Sequence, residues 1–302
     1  MNQGRNISII TNQLTINEVI EIGFIQNVIL QQIPFGLEWD LHSYHDGVVI
    51  YLELGCLSSE IIEQLKAQGN KVVICQLGDE FKEKYSLELY KSCDLILRNY
   101  FFSDIFTDPE VGCKTLWIPN GPKAGVGGRR AEMLRPANHR HFLSSFLGWL
   151  DNPRSFGNER ELFRQAAMQA PHDILLQPTE YFAKGFNVGM YSAILEYSIF
   201  CPCPAGNSPE TIRLYDALEM GCIPISLKHD FLQSPLALGT PPFPLLDSWD
   251  QLPALLAEYR AKLASDPASV VGQQQRCLDW WGIYKKSISA TVSKKLYELS
   301  VR

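Results

Sequence analysis

The sequence lacks any long apolar run. No stretch of its 302 residues approaches the ~18–20 apolar residues that a membrane span requires. The opening MNQGRNISIITN carries no apolar core of signal-peptide length behind its one arginine. A cytoplasmic protein is therefore expected, at most peripheral to the inner face of a membrane. Positive charge is not in excess either: 27 Lys and Arg against 33 Asp and Glu leave a net charge of −6. The molecule as a whole thus offers no electrostatic footprint for nucleic acid. There is no internal repeat and no low-complexity tract. Eight cysteines (56, 75, 93, 113, 201, 203, 222, 277) are scattered, mostly through apolar runs such as VVICQL, where a thiol behaves as a small hydrophobe. The one close pair, Cys201 and Cys203, has no second ligand pair, so no metal is expected.

What is present is a packed protein, with 46% apolar and 20% charged residues over a length that suits two domains. Through residue 118, β-rich runs alternate with helical patterns: ISII, INEVIEIGFIQNVILQQI, VVIYLEL, SSEIIEQLKAQ, KVVICQL, SLELYKSC, DLILRNY and KTLWIP. Such alternation predicts a parallel sheet with helical crossovers. Between Pro119 and His141 the chain turns rich in glycine, proline and basic residues (Lys123, Arg129, Arg130, Arg135, Arg140) and reads as a linker. Its charge fits plain solvation or contact with a phosphate or anionic acceptor. A second alternation runs from HFLSSFLG at 141 to CIPISL at 222–227 and ends in helical stretches over 248–264 and 277–299. Expected boundaries are an N-terminal Rossmann-like, acceptor-side domain over 1–120, a linker over 121–140, a nucleotide-binding domain over 141–275 and a helix over 276–302 that packs back. Two doubly wound α/β domains facing a cleft are the economical architecture.

Residues 199–227 carry the strongest local signal. A β-rich run, IFCPCP, ends in a Pro-Ala-Gly-Asn turn, then Ser208 suits an N-cap and Pro209 the first helical position. Gly221 closes that helix and CIPISL follows as a strand. Strand, turn and helix put free backbone N–H groups at the carboxyl edge of a sheet, where the helix dipole favours an anion. Asn207, Ser208 and Thr211 can donate there, Arg213 adds positive charge and Asp216 could accept from ribose hydroxyls. The same residues fit an ordinary cap with Arg213 paired to Asp216 or Glu219 and no ligand.

This run resembles the most characteristic stretch of exostosin-type glycosyltransferases: an aromatic-Cys strand, a Pro-x-Gly turn, a Ser/Thr-rich helix start, Arg-Leu-aromatic-acid-Ala-Leu and Gly-Cys-Ile-Pro-Val. Here it reads FCPCPAGN, then SPETIRLYDALEMGCIPIS. HFLSSFLG and MYSAILEYSIF extend the likeness more weakly. QLGDEFKEKYSLELYKSCDLILRNYF and WIPNG resemble the branch that includes ribitol xylosyltransferases. Two positions depart from the pattern: Ala205 stands where the family often has Arg, and Asp216 where it usually has Glu.

The resemblance implies a GT-B fold and inverting transfer from a UDP-sugar, xylose or glucuronic acid by association, to a glycan or polyol-phosphate acceptor. The C-terminal domain, with Gly206, Asn207, Ser208, Thr211, Arg213 and Asp216, would hold the donor. The sequence contains no Asp-x-Asp pair, through which many sugar transferases of the other main fold bind a metal. No cofactor or metal is expected, and the diphosphate charge falls to the helix dipole and Arg213, with Arg154, Arg160 or Lys184 assisting. A general base is also needed. Asp79 and Glu80 follow strand KVVICQL and emerge at its carboxyl edge, with a lean to Glu80 and with capping as Asp79's alternative role. Arg98 could bind an acceptor phosphate or pair with these acids, and His42 or His45 could serve as base. A nucleotide-sugar epimerase of GT-B architecture and a non-catalytic nucleotide-sugar-binding protein are the rival readings.

Overall fold

The computed structural model describes residues 6–11, 20, 22–31, 33, 35–36, 41–182 and 184–301. The chain forms two compact units: residues 1–120 with 235–237 and 284–302, and residues 121–234 with 238–283.

The first unit holds a six-stranded sheet of β1 (Ile7–Ile10), β2 (Phe35–Gly36), β3 (Val48–Glu53), β4 (Lys71–Gln76), β5 (Leu95–Arg98) and β6 (Thr115–Trp117). Their order is β2-β1-β3-β4-β5-β6 and every pairing is parallel. All six residues of β3 are buried, which is why VVIYLE reads as a continuous apolar run and not as an alternating one. Helix α1 (Ser59–Ala67) follows β3, and Ser58 caps it by accepting from the Ile61 N–H at 3.3 Å. Helix α2 (Leu87–Ser92) starts the same way on Ser86, and a short α3 (Ser103–Phe106) follows β5. Of the helix expected over 16–33, residues 16–19, 21 and 32 lie outside the described residues. What is described is a turn, Ile22–Phe24, running into a π-helical turn, Ile25–Ile29.

The second unit holds β7 (Phe142–Trp149), β8 (Ile174–Thr179), β9 (Ser198–Pro202), β10 (Ile223–Leu227) and β11 (Leu245–Leu246), in the order β11-β10-β9-β7-β8, again all parallel. Its helices are α4 (Glu159–Gln169), α5 (Val188–Glu196), α6 (Ile212–Glu219) and α7 (Leu252–Ser265). The last helix, α8 (Pro267–Ser300), begins ten residues ahead of its expected start at Cys277 and gives residues to both units. On its expected stripe, Trp281, Val292 and Leu296 are buried.

Residues 121–140, expected as a linker, belong to the second unit. They bury Val126, Leu134, Ala137 and Arg140. Composition misleads here because the buried polar groups find partners. Arg140 donates to the carbonyls of Arg135 (2.8 Å), Ser198 (2.8 Å), Met220 (2.9 Å) and Leu195 (3.3 Å). Two of these carbonyls lie at the C-terminal ends of α5 and α6, where the dipole suits a cation. Desolvation by burial lowers the Arg140 pKa.

All eight cysteines are free, with Cys56 and Cys113 exposed and the other six buried. Burial pushes the thiols of Cys75, Cys222 and Cys277 up to about 12 and that of Cys93 up to about 11.

Candidate functional site

The carboxyl edge of the second sheet carries the segment singled out by sequence. After β9 the ladder continues one step, Cys203 donating its N–H to the Ile225 carbonyl at 2.8 Å, before the chain turns through Pro204-Ala205-Gly206-Asn207. The loop after β7 and the first turn of α4 hold this turn from outside. Glu159 Oε2 accepts the Ala205 N–H at 3.0 Å. The Ala205 carbonyl accepts from Arg160 Nε at 3.1 Å and Ser155 Oγ at 3.2 Å. Phe156 N–H reaches the Gly206 carbonyl at 2.8 Å, and Asn152 Nδ2 reaches Asn207 Oδ1 at 3.1 Å. Glu159 is itself buried, with His229 Nε2 at 3.0 Å from Oε1 and Trp249 Nε1 donating to Oε2 at 3.2 Å. A carboxylate enclosed by several donors is held in one geometry, and so is the turn it grips.

Helix α6 starts three residues later than the sequence suggested. Thr211 is its N-cap, and Ser208, expected as the cap, is buried with Oγ donating to the Glu210 carbonyl at 3.3 Å. Glu210 is occupied by Tyr215, whose hydroxyl donates to Oε1 at 2.7 Å. These local bonds postpone the helix. Gly206, Asn207, Thr211 and Ile212 are partly open to solvent at its mouth.

Arg213 lies in the first turn of α6, 9% exposed, with its guanidinium 4.1 Å from the centroid of the Phe146 ring on β7. Its Nε and Nη1 have no hydrogen-bond partner among the described residues. Nη2 lies against Gly148, where a Cβ would collide with it. A buried guanidinium that feels the Asp216 charge but keeps two unused donors at a helix N-terminus has hydrogen-bonding capacity left for an anion.

The other expected contacts fall differently. Asp216 points inward, 2% exposed, and its two oxygens take the Lys123 N–H (2.8 Å) and the Tyr191 hydroxyl (2.9 Å). It anchors the 121–126 loop onto α6 in place of the ribose contact suggested by sequence. Burial raises its carboxyl to about 6, against the opposing pull of those two bonds and of the Arg213 and Lys123 charges. Arg160 gives Nε to Ala205 and Nη1 to the Trp149 carbonyl, so it stitches the exit of β7 to the turn. Arg154 is exposed, and Lys184 is exposed with Nζ 5.3 Å from the Tyr181 ring centroid. Glu159 carried no motif that sequence reading could have picked out, and Gly148 and Lys123 were met there only as part of the HFLSSFLG likeness and of the basic segment.

In the first unit the two candidate acids part ways. Gly78 turns the chain out of β4 at φ +75, and a Cβ there would strike Leu54 Cδ1. Asp79 then folds back into the core, 2% exposed, accepting the Lys84 N–H at 3.0 Å and Arg98 Nη2 at 3.3 Å. Arg98 is fully buried and gives Nε to the Asn99 carbonyl and Nη1 to Tyr90 Oη, each at 3.2 Å. Tyr90 closes the network by donating to Gln76 Oε1 at 2.6 Å. This arrangement realises the pairing alternative for Arg98 and leaves it enclosed, away from an acceptor phosphate. Glu80 is half-buried and accepts from the Tyr100 hydroxyl at 2.9 Å. His45 donates a ring N–H to the His42 carbonyl at 2.8 Å, in an exposed turn. Among the described residues no three His, Cys, Asp or Glu are grouped to hold a metal ion, and no helix is long and apolar enough to cross a membrane.

Comparison with known proteins adds four findings. A family model described as the RXYLT1 C-terminal domain matches residues 129–299. Ribitol-5-phosphate xylosyltransferase 1 of Danio rerio is 25% identical over 174 residues, 53% of this chain and 38% of that protein. A probable glucuronosyltransferase of Oryza sativa subsp. japonica is 33% identical over 93 residues, 29% of this chain and 20% of that protein. The chain thus spans well under half the length of the curated relatives it matches. Among solved structures, the pneumococcal O-GlcNAc transferase GtfA, in complex with UDP and GlcNAc, aligns with a TM-score of 0.52 at 12% identity over 86% of this chain and 58% of that one. That likeness is one of fold: two parallel-sheet α/β units of the GT-B type.

Proposed function

The chain belongs to the RXYLT1 C-terminal domain family, among the exostosin-like glycosyltransferases, and on that footing we propose that it transfers a sugar from a UDP-sugar, xylose or glucuronic acid, to a glycan or polyol-phosphate acceptor. The observation that carries the donor half is Arg213. Its two unused guanidinium donors and the backbone N–H groups of the α6 mouth supply the positive potential that a diphosphate needs. The turn at 204–207, gripped by Glu159, Arg160, Ser155 and Asn152, is preorganised, so little reorganisation is spent when the leaving group gains charge.

The reaction is an inverting displacement. An acceptor hydroxyl loses its proton to a general base as its oxygen bonds to the anomeric carbon, and the bond from that carbon to the β-phosphate oxygen breaks. The electron pair leaves on UDP, whose charge rests on Arg213 and the helix mouth. No metal is required by this scheme. Glu80 takes the role of base because Asp79 is consumed by Arg98 and Lys84, and Tyr100 fixes the Glu80 carboxyl by one hydrogen bond.

Thermal unfolding with a panel of UDP-sugars tests the reading directly. A ligand at 100 times its Kd stabilises by about 2.7 kcal/mol, a readily measured rise in Tm. Stabilisation that persists in EDTA supports the metal-free scheme, and UDP release only with an acceptor separates transfer from epimerisation. If no nucleotide sugar raises the Tm, with or without EDTA, the proposal is wrong.

A further inference from the structure

Two aromatic rings stand at the carboxyl edge of the second sheet with no structural task to account for their exposure. Trp149 ends β7 and is half-buried; Tyr181 follows β8 and is 56% exposed. Their strands are neighbours, with Trp149 in register with Thr179, and the ring centroids lie 6.1 Å apart at 45°. An exposed aromatic pair costs apolar hydration unless something covers it.

Both rings sit on fixed backbone. The Trp149 carbonyl is taken by Arg160 Nη1, the same guanidinium that holds Ala205. The Tyr181 carbonyl accepts from Thr179 Oγ1 at 3.0 Å and from the Lys184 N–H at 3.4 Å, which closes a tight turn after β8. Gly185, at φ +98, completes that turn where a Cβ would meet Thr179 Cγ2 at 2.9 Å. Lys184 brings its ammonium 5.3 Å from the Tyr181 ring centroid. The pair is therefore rigid at its base, flanked by a cation, and one residue along β7 from Gly148, against which Arg213 rests.

Topology says which part of a ligand would lie there. In the order β11-β10-β9-β7-β8, the chain leaves β7 for β8 on one side and later returns to β9 on the other, so the switch point lies between β7 and β9. Ligands of doubly wound sheets bind outside the carboxyl ends of the strands at that point. With the diphosphate at α6, after β9, a ligand that lies across the switch point reaches Trp149 and Tyr181, at the ends of β7 and β8, with the group next to the diphosphate.

We infer that Trp149 and Tyr181 form the platform on which the nucleobase of the donor stacks. The inference rests on the donor reading above and adds the subsite. At 6.1 Å the tilted rings leave no room for a base between parallel faces, which needs about 7 Å at carbon contacts of ~3.5 Å. The base lies across the pair, and Lys184 faces its carbonyl oxygens.

The test is calorimetric binding of UDP and, separately, inorganic pyrophosphate to the full chain and to Trp149→Ala and Tyr181→Ala. Tyr181→Ala changes an exposed side chain, so it reads the contact even where Trp149→Ala disturbs the β7 exit. Stacking predicts UDP affinity falling about tenfold or more in each variant, pyrophosphate affinity unchanged, and recovery in Trp149→Phe and Tyr181→Phe. UDP binding by the wild type that neither alanine variant weakens overturns the platform while leaving the donor reading intact. Equal losses for UDP and pyrophosphate assign the rings to structure and overturn it too, as does a raised acceptor KM at constant UDP affinity, which makes them an acceptor surface. A wild type that binds neither ligand removes the donor reading and the platform together.

Discussion

Asp79 and Arg98 face each other at 3.3 Å with neither side chain open to solvent. Removing one partner of such a pair strands the other as a buried charge, which costs about 3–5 kcal/mol. Asp79→Ala is therefore expected to lower the Tm sharply and donor affinity only through the loss of folded protein. A variant that unfolds at the wild-type temperature yet transfers no sugar would return Asp79 to the catalytic role that its place after β4 first suggested.

Glu80 should behave in the opposite way. Glu80→Gln keeps an acceptor for the Tyr100 hydroxyl, so stability and UDP affinity are expected to stay within error. Loss of a general base typically costs 10²–10⁴-fold, and kcat for sugar transfer should fall within about that range. Full activity in Glu80→Gln would move the base elsewhere.

Gly148 leaves the space that Arg213 Nη2 occupies. Gly148→Ala forces the guanidinium aside, with about 1–3 kcal/mol of overpacking, and should weaken UDP and pyrophosphate binding alike. Arg213→Ala should remove pyrophosphate binding altogether, and unchanged binding in isothermal titration would end the anion-site reading.

Asp216 sets a pH dependence of definite sign. Burial raises its carboxyl from 3.8 to about 6, so the folded chain holds that proton more tightly than the unfolded one. The contribution is fully stabilising below about pH 3.8 and is lost as pH rises through about 6. Two units amount to at most about 3 kcal/mol. Relative to wild type, Asp216→Asn should gain stability as pH rises across this window, measured by urea unfolding at several pH values. A constant difference between the two proteins would show that Asp216 does not titrate there.

The architecture was legible because parallel strands buried on both faces leave runs such as VVIYLE and KVVICQ that few other structures explain. The turn at 204–207 was legible because strand, turn and helix follow one another within some twenty residues. What escaped was set by contacts far apart in the chain. Thr211 displaced Ser208 as cap because Ser208 bonds to Glu210. Arg160 was spent on the Trp149 and Ala205 carbonyls, and Asp216 on Lys123 and Tyr191. The segment 121–140 looked like a linker because nothing local reveals that the carbonyls around Arg140 await its guanidinium.

The distribution of thiols makes the chain its own folding gauge. A maleimide at neutral pH should consume Cys56 and Cys113 at once and the six enclosed thiols only when the backbone around them opens. Cys75 and Cys93 belong to the first unit and Cys201, Cys203, Cys222 and Cys277 to the second. Two slow labelling phases, separable by mass, would time the opening of each half without any engineered probe, and a nucleotide that binds at α6 should retard the second phase alone.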